Sequence, residues 1–195
     1  VITRSSPVQI GTATYWSQIA SVTAGTIALK NDSTVYGCGD FANTATMLYP
    51  YFAPTNSASS PVQVGSLTAW QDVSVSVTDG QSYALQTNGS LWSWGGYSAY
   101  LGLGSPSLGF SHSPIQVGTA TSWSKVSIFG TTTIATRTDG TFWGWGQNGS
   151  GEIGDSSVST RSVPTQIGTL TDWSKISIGF GHSMAIKTDG TLWVW

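Results

Sequence analysis

Apolar and polar residues alternate in short runs along this chain, and glycine, proline, asparagine or aspartate separates the runs. The carboxyl-terminal stretch shows the pattern best, with alternating runs at 172–179 and 182–187, then Asp189-Gly190, then Leu192-Trp193-Val194-Trp195. Alternation with a period of two predicts β-strands, and Asp-Gly between two such runs predicts a hairpin with a type I′ turn. Because both faces of the last strand are apolar, it belongs in a sheet covered on both sides by other sheets.

The same pattern occurs four times along the chain, in a fixed order of motifs. The prolines that open a Pro-x-Gln-x-Gly segment, spaced 54, 53 and 50 residues apart, are Pro7, Pro61, Pro114 and Pro164. The tryptophans that follow nine residues later are Trp16, Trp70, Trp123 and Trp173. The hairpin pairs are Asn31-Asp32, Asn88-Gly89, Asp139-Gly140 and Asp189-Gly190. The closing aromatic pairs are Trp92/Trp94, Trp143/Trp145 and Trp193/Trp195, with Tyr36 and Cys38 in the first copy.

Each copy therefore holds about four short strands, a pattern typical of β-propeller blades. We predict an all-β fold, a β-propeller of four-stranded antiparallel blades, as a single array over residues 1–195. The repeats run approximately over 1–60, 61–113, 114–163 and 164–195, and the last one is truncated. No stretch has a sustained helical period, so we expect less than about a tenth of the chain to be helical.

Two details of the repeat give further expectations. The Pro-x-Gln-x-Gly segments, such as 7–11, should form short edge-like strands, because proline cannot donate to a β-ladder. The repeated tryptophans should be largely buried as the blade core, because each recurs at the same place in its copy.

Composition excludes several classes of function. Only 8% of the residues are charged and the net charge is −2, so the chain lacks the basic surface that nucleic-acid binding requires. No apolar run reaches the roughly 18 residues of a membrane-spanning helix, so membrane insertion is not predicted. The single Cys38 excludes a disulfide framework within the chain. Abundant serine and threonine weakly favour an extracellular, cell-surface or virion setting.

The sequence carries no catalytic constellation, and we predict that the protein is not an enzyme and binds no cofactor. Its only histidines are His112 and His182, and neither has a recognisable triad partner. His182 occurs in one copy only, which favours a turn-stabilising role. Asn148, Glu152 and Asp155 on a glycine-rich loop could offer oxygen ligands to calcium, but their spacing favours a tight structural turn, and no metal site is predicted.

The repeat resembles that of the regulator of chromosome condensation family of β-propellers. The third copy supplies Asp139-Gly140, Trp143, Trp145-Gly146, Asn148, Gly151, Ile153 and Gly154, and the fourth supplies Gly179, His182, Ala185, Asp189-Gly190, Trp193 and Trp195. The low charge makes the chain more similar to bacterial or viral members than to the nuclear exchange factor. The resemblance implies about seven blades in all, and it leaves function open because members of this family differ in task.

The favoured function is a non-catalytic scaffold for protein–protein interaction or structural assembly, in a viral or cell-surface structure. Regulation of a small GTPase, such as guanine-nucleotide exchange, and glycan binding are the alternatives. Two irregular insertions carry aromatic residues that the repeat does not require, and such residues are candidates for binding a protein partner. These candidates are Tyr49, Tyr51, Phe52, Tyr97, Tyr100 and Phe110.

An open array of blades leaves strand edges and apolar faces uncovered, which proteins avoid. We therefore expect both ends of this array to be buried. Further blades of the same gene are the favoured cover, and a neighbouring subunit is the alternative.

Overall fold

The computed structural model describes residues 6–10, 12–21, 25–40, 57–76, 80–104 and 110–195, which form four antiparallel sheets. The first sheet contains β1 (Trp16–Ser21), β2 (Gly25–Lys30), β3 (Val35–Asp40) and β4 (Ser57–Gln63). The second contains β5 (Trp70–Val75), β6 (Ser82–Gln86), β7 (Leu91–Tyr97) and β8 (Phe110–Gln116). The third contains β9 (Trp123–Phe129), β10 (Thr132–Arg137), β11 (Phe142–Gly146) and β12 (Arg161–Gln166). The fourth contains β13 (Trp173–Gly179), β14 (His182–Lys187) and β15 (Leu192–Val194).

Strands that are neighbours in sequence are neighbours in each sheet, so every sheet is a simple meander. The first strands of the sheets, β1, β5, β9 and β13, contact one another in chain order and form the inner side of the array. The predicted all-β propeller is therefore confirmed. One 3₁₀ turn, Ser98–Tyr100, is the only helical element in the described residues. That part of the chain contains no helix with the length and hydropathy needed to cross a bilayer.

Apolar side chains fill the spaces between consecutive sheets, since the alternating pattern gives each sheet two apolar faces. Between the second and third sheets, for example, Leu85 and Leu91 pack against Trp123, Ala135 and Trp145. Equivalent clusters lie between the first and second sheets and between the third and fourth. The second and third sheets thus each have a front face that packs on the preceding sheet and a back face that receives the next one.

The repeated tryptophans occupy two environments. The fully buried ones, as the sequence predicts, are Trp70, Trp94, Trp123 and Trp145. Trp92 and Trp143, the first members of their pairs, are only half-buried, and Trp193 is 46% exposed. The indole N–H of Trp143 donates to the Thr141 hydroxyl at 2.8 Å, so this ring also stabilises the hairpin turn before it.

The hairpin turns differ from the predicted type I′ geometry. In the β10–β11 turn only Gly140 has a positive φ, of 77°, whereas type I′ requires a positive φ at both central residues. The Gly140 N–H donates to the Arg137 carbonyl at 3.0 Å, and the Arg137 N–H donates to the Thr141 carbonyl at 3.1 Å. This is a three-residue loop with a glycine bulge. Asp139 stabilises it by accepting the backbone N–H of Thr141 at 3.0 Å.

The Pro-x-Gln segments form the outer strand of the preceding sheet, not the first strand of their own. Pro61 lies in β4, Pro114 in β8 and Pro164 in β12, so the sheets are out of phase with the sequence repeats. The prediction of a strand at Pro7 is wrong for this structure, because residues 7–10 adopt no strand. In the part of the chain that the structure describes, no other strand pairs with these residues.

Basic side chains near the hairpin turns lie over pairs of aromatic rings, a contact that the sequence analysis missed. The Arg137 guanidinium is 3.7 Å from the Trp143 ring centre and 4.6 Å from that of Trp123. Lys30 and Lys187 take the same place in the first and fourth sheets. A basic residue just before the hairpin pair is the sequence signal for this cation–π contact; it stands one position before the pair in the first copy and two positions before it in the third and fourth.

Candidate interaction surface

One end of the sheets carries the longest connections, and we call it the loop face. In the third sheet, Gly146 pairs with Thr132 on one side and Arg161 on the other, while Thr132 also pairs with Phe129. The β9–β10 turn and the loop between β11 and β12 therefore leave the sheet at the same end. The loop face comprises these two connections and their equivalents in the other sheets.

Both aromatic insertions leave the sheets at the loop face. In the first sheet the pairing of Asp40 with Ser57 brackets the insertion that contains Tyr49, Tyr51 and Phe52, which lie outside the described residues. The other three candidates, which belong to the insertion of the second sheet, are Tyr97, Tyr100 and Phe110. The sequence prediction that these six residues form a binding surface stays a prediction.

The three candidates of the second sheet lie close together along the chain. Tyr97 and Phe110 are backbone partners in β7 and β8, and their side chains lie outside the described part. Tyr100 is half-buried in the 3₁₀ turn, where its carbonyl accepts the Tyr83 hydroxyl at 3.2 Å. Tyr100 thus connects the insertion to the core of the second sheet.

The glycine-rich loop at 146–157 is held by its own side chains. Asn148 is fully buried; its amide group donates to the Ser157 carbonyl at 2.9 Å, and its side-chain oxygen accepts the Ile153 N–H at 2.9 Å. The Glu152 carboxylate accepts the Ser150 N–H at 2.8 Å. Asp155 accepts the Arg161 guanidinium at 2.7 Å. These bonds hold the loop as a tight turn, and the sequence prediction that it holds no metal stays a prediction.

Asp155 makes the stability of this loop depend on pH. Burial acts to raise the pKa of Asp155, but hydrogen bonds from Ser157 and Arg161 outweigh it and lower the pKa below its ordinary value. The folded chain therefore gains stability from Asp155 above the unfolded-state pKa of about 4, and loses it as the pH falls through the lower folded-state pKa.

We expect Asp155→Asn to flatten the acid limb of the stability profile. Urea unfolding of both proteins at neutral pH and at successive steps below pH about 4 would measure this. The wild type should lose more stability over that acid window than the variant does. Equal losses in the two proteins would contradict a role for Asp155.

A groove of about 530 Å³ opens on the loop face between the third and fourth sheets. Its polar lining includes Thr131, Gln147 and Thr160, and its apolar lining includes Phe129 and Phe180. The Phe180 ring is 87% exposed and meets Phe129 edge to face, with ring centres 6.3 Å apart. An exposed phenyl ring beside a polar groove suits an apolar side chain of a partner, flanked by hydrogen-bonding groups.

The turn that carries Phe180 is held in place by its neighbours. The Phe180 carbonyl lies 3.0 Å from Nδ1 of His182, and Gly181 has a φ of 69°. This contact agrees with the turn-stabilising role predicted for His182. Sequence reasoning missed Phe129 and Phe180, because both lie inside regular repeats and only the turn geometry exposes them. A bulky apolar residue beside a turn glycine, as in Gly179-Phe180-Gly181, was the available signal.

Comparison with known families supports the repeat assignment. Residues 139–186 match the model of the regulator of chromosome condensation (RCC1) repeat. The matched segment contains the glycine-rich loop and the turn that carries Phe180. A search of curated proteins found no match.

Solved structures give the same fold. Human WBSCR16 has a TM-score of 0.72 at 23% identity, over 92% of this chain and 47% of that chain. Yeast RCC1 (Prp20), solved with Kap60 bound to it, has a TM-score of 0.75 at 16% identity, over 95% of this chain and 45% of that chain. The computationally designed Ika4 protein has a TM-score of 0.55 at 10% identity, over 99% of this chain and 98% of that chain.

These structural matches, all below 25% identity, show the fold alone, and the resemblance of the repeat to that of RCC1-type β-propellers is confirmed. The chain spans about half the length of the two natural proteins, 47% and 45% respectively. The predicted likeness to bacterial or viral members is not tested by these matches.

Proposed function

We propose that this chain is a non-catalytic interaction module that binds a protein partner through its loop face. The observation that carries the proposal is the Phe180 ring, which is 87% exposed at the mouth of the groove. A large apolar ring held out to solvent on a rigid turn has no packing role in its own sheet. Exposed aromatic rings of this kind are enriched at protein interfaces.

The polar lining of the groove indicates what the partner offers. Gln147 is exposed and Thr131 is half-buried, and the Thr131 hydroxyl donates to the Gln147 side-chain oxygen at 2.7 Å. The Glu152 carboxylate at the groove floor is already bonded to Ser150. A partner segment with an apolar side chain against Phe180 and uncharged polar groups against the amide and hydroxyl groups fits this lining better than a strongly charged one.

Similar propellers bind proteins, which supports the same class of partner here. One structure holds yeast RCC1 (Prp20) with Kap60, and another study of Prp20p reports its binding properties to Gsp1p and histones. Regulation of a small GTPase and glycan binding remain the alternatives from the sequence. The viral or cell-surface setting likewise remains a prediction.

Phe180→Ser tests the proposal. Peptides selected on the wild-type chain from a random display library serve as the probe, and calorimetry measures their affinity. Because interface aromatics often contribute 2 kcal/mol or more, we expect the variant to bind at least roughly tenfold more weakly. The matched control is Leu170→Ser, which removes an exposed apolar side chain in the connection between β12 and β13, away from the groove.

Two further assays separate the alternatives. A glycan array and a nucleotide-release assay on a panel of small GTPases are run with the wild-type chain and with Phe180→Ser. The proposal predicts no glycan signal and no accelerated release. Selected peptides that bind Phe180→Ser as well as the wild type, or a Phe180-dependent glycan signal, would overturn it.

A further inference from the structure

A polar pocket of about 490 Å³ opens between the second and third sheets, beside their inner strands β5 and β9. Its walls carry two opposite charges, Asp72 on β5 and Lys125 on β9, and Leu85 adds an apolar wall. The second sheet is packed between the first and the third, and the third between the second and the fourth. Both walls of the pocket are therefore held in place from each side.

The two charged residues hold the same place in their sheets. Asp72 pairs with Leu85 and Lys125 pairs with Thr136, and each follows a β-bulge at the start of its strand. Gln18 holds this place in the first sheet and follows the same bulge. A bulge bends its strand and redirects the side chains beside it, so the three sheets should direct this residue in the same way.

The interface between the first and second sheets shows which chemical group this place accepts. The Gln18 side chain crosses from β1 to β5, where its NH2 group donates to Asp72 Oδ1 at 2.7 Å and to the Val73 carbonyl at 3.2 Å. Its side-chain oxygen accepts the Val73 N–H at 3.3 Å. A primary amide thus bonds to both backbone groups of Val73, because it offers donors and an acceptor together.

Strand β9 presents the same two backbone groups beside the pocket. Val126 pairs with Ala135 as Val73 pairs with Ala84, and β5 and β9 are each the edge strand of their sheet. The Val126 N–H and carbonyl therefore point to the free edge of β9, as those of Val73 point to the edge of β5. No side chain of the described residues makes the bridge to Val126 that Gln18 makes to Val73.

Asp72 and Lys125 leave hydrogen-bonding groups available to a ligand. Asp72 is half-buried and accepts the Gln18 amide through Oδ1, while its Oδ2 has no hydrogen-bond partner among the described residues. Lys125 is exposed, and within the same part of the chain it forms no ion pair and no cation–π contact. The two side chains are not paired with each other either. An acceptor and a donor therefore line one pocket from its two walls.

We propose that this pocket binds a primary carboxamide, carried either by a glutamine or asparagine of a protein partner or by a small free amide. The carboxamide NH2 group donates to Asp72 Oδ2 and to the Val126 carbonyl. The carboxamide oxygen accepts the Val126 N–H and the Lys125 ammonium. These four bonds use both donors and both lone pairs of the ligand. The carbon atoms that carry the amide lie against Leu85.

The same groups select against other polar ligands. A carboxylate has no donor for Asp72 or for the Val126 carbonyl, and it brings a negative charge to both. An ammonium group has no acceptor for the Val126 N–H and meets the like charge of Lys125. Each mismatch leaves a polar group of the pocket unpaired, and such mismatches are an effective source of specificity. Only an uncharged group with both donors and acceptors matches all four partners.

This site is separate from the proposed binding of a protein partner through Phe180. Asp72 and Lys125 lie near the start of β5 and β9, whereas Phe180 directly follows the end of β13. The carboxamide pocket is therefore at the end of the sheets opposite the loop face. The two proposals can fail independently.

Titration of the isotope-labelled 195-residue chain with propionamide, followed by nuclear magnetic resonance, tests the inference. Propionamide reproduces the side chain of glutamine, and propionate reproduces that of glutamate with nearly the same shape. We expect propionamide to shift the backbone amide resonance of Val126. It should bind at least roughly tenfold more tightly than propionate, because propionate cannot donate to Asp72 and repels it.

Two variants and a matched control assign the binding to this pocket. Lys125→Met removes the ammonium group, and Asp72→Asn replaces an acceptor by a donor in a side chain of the same shape. Each should weaken propionamide binding at least roughly tenfold. Lys175→Met removes the exposed lysine at the same place on β13, outside the pocket, and should leave the affinity unchanged. Circular dichroism checks that all three variants are folded, and Lys125→Met, whose side chain is exposed, keeps the test valid if Asp72→Asn is not.

A short peptide distinguishes the two sources of the amide. Acetyl-Ala-Gln-Ala N-methylamide contains one primary carboxamide, on its glutamine. Binding at least as tight as that of propionamide indicates a side chain of a protein partner, and weaker binding indicates a free amide. The inference is overturned if neither compound shifts the Val126 resonance, if propionate binds as tightly as propionamide, or if Lys175→Met weakens binding as much as Lys125→Met.

Discussion

Trp145→Ala is expected to lower the free energy of unfolding by about 3–5 kcal/mol, because it removes a fully buried indole and leaves a cavity between two sheets. The ring meets Trp123 and Tyr83 with centres 5.7 and 5.9 Å apart. Its N–H donates to the Tyr83 hydroxyl at 2.9 Å. Burial raises the pKa of Tyr83, so this hydroxyl stays protonated and can also donate to the Tyr100 carbonyl.

The matched control for this change is Trp193→Ala. Trp193 is a first member of its pair and is 46% exposed, so its loss should cost only about 1 kcal/mol. Urea unfolding followed by circular dichroism avoids the change in tryptophan fluorescence that both variants cause. Equal losses of unfolding free energy in the two variants would mean that the buried and the exposed members of the pairs contribute equally to stability. That result would contradict the packing of Trp145 between the second and third sheets.

The fold could be predicted from the sequence because the same physical constraints recur in every copy. A tryptophan at a fixed distance from a Pro-x-Gln segment indicates a packed sheet face, and a glycine after Asn or Asp indicates a turn. The predictions from sequence were wrong where the structure of a local motif depends on the segments that pack beside it. Residues 7–10 have the motif of an outer strand, but a strand forms only where another strand offers its edge. The Asp-Gly pair signals a hairpin, but the bonds of Arg137 and Gly140 decide the turn type.

The candidate site was harder to predict, for a different reason. In the sequence, the aromatic residues that break the repeat are those of the insertions around Tyr49 and Tyr97, and these were therefore the predicted candidates. Phe129 and Phe180 lie inside regular repeat segments and still become accessible, because they sit where a strand leaves its sheet. Exposure at such a point depends on how two turns from adjacent sheets meet. The glycines on either side of Phe180 mark a turn in the sequence, but the sequence does not show how that turn meets the turn of the adjacent sheet.

Gly140→Ala is expected to cost about 2–5 kcal/mol of unfolding free energy. The left-handed backbone of Gly140, with a φ of 77°, contributes roughly 1–2 kcal/mol of this for any residue with a Cβ. The remaining 1–3 kcal/mol or so comes from overpacking, because the new methyl group would lie 1.9 Å from the Thr171 carbonyl oxygen. Relief of that clash requires the third and fourth sheets to separate at their turn end, which also weakens the bond from Trp173 to Gly140.

Gly190→Ala isolates the contribution of the sheet interface. Gly190 has the same kind of turn and a φ of 85°, yet a Cβ there meets nothing within 4 Å. It should therefore cost only the roughly 1–2 kcal/mol of backbone strain. If the two variants lose the same unfolding free energy, the hairpin turn of the third sheet does not pack closely against the fourth. That result would contradict the close contact between Gly140 and the Thr171 carbonyl.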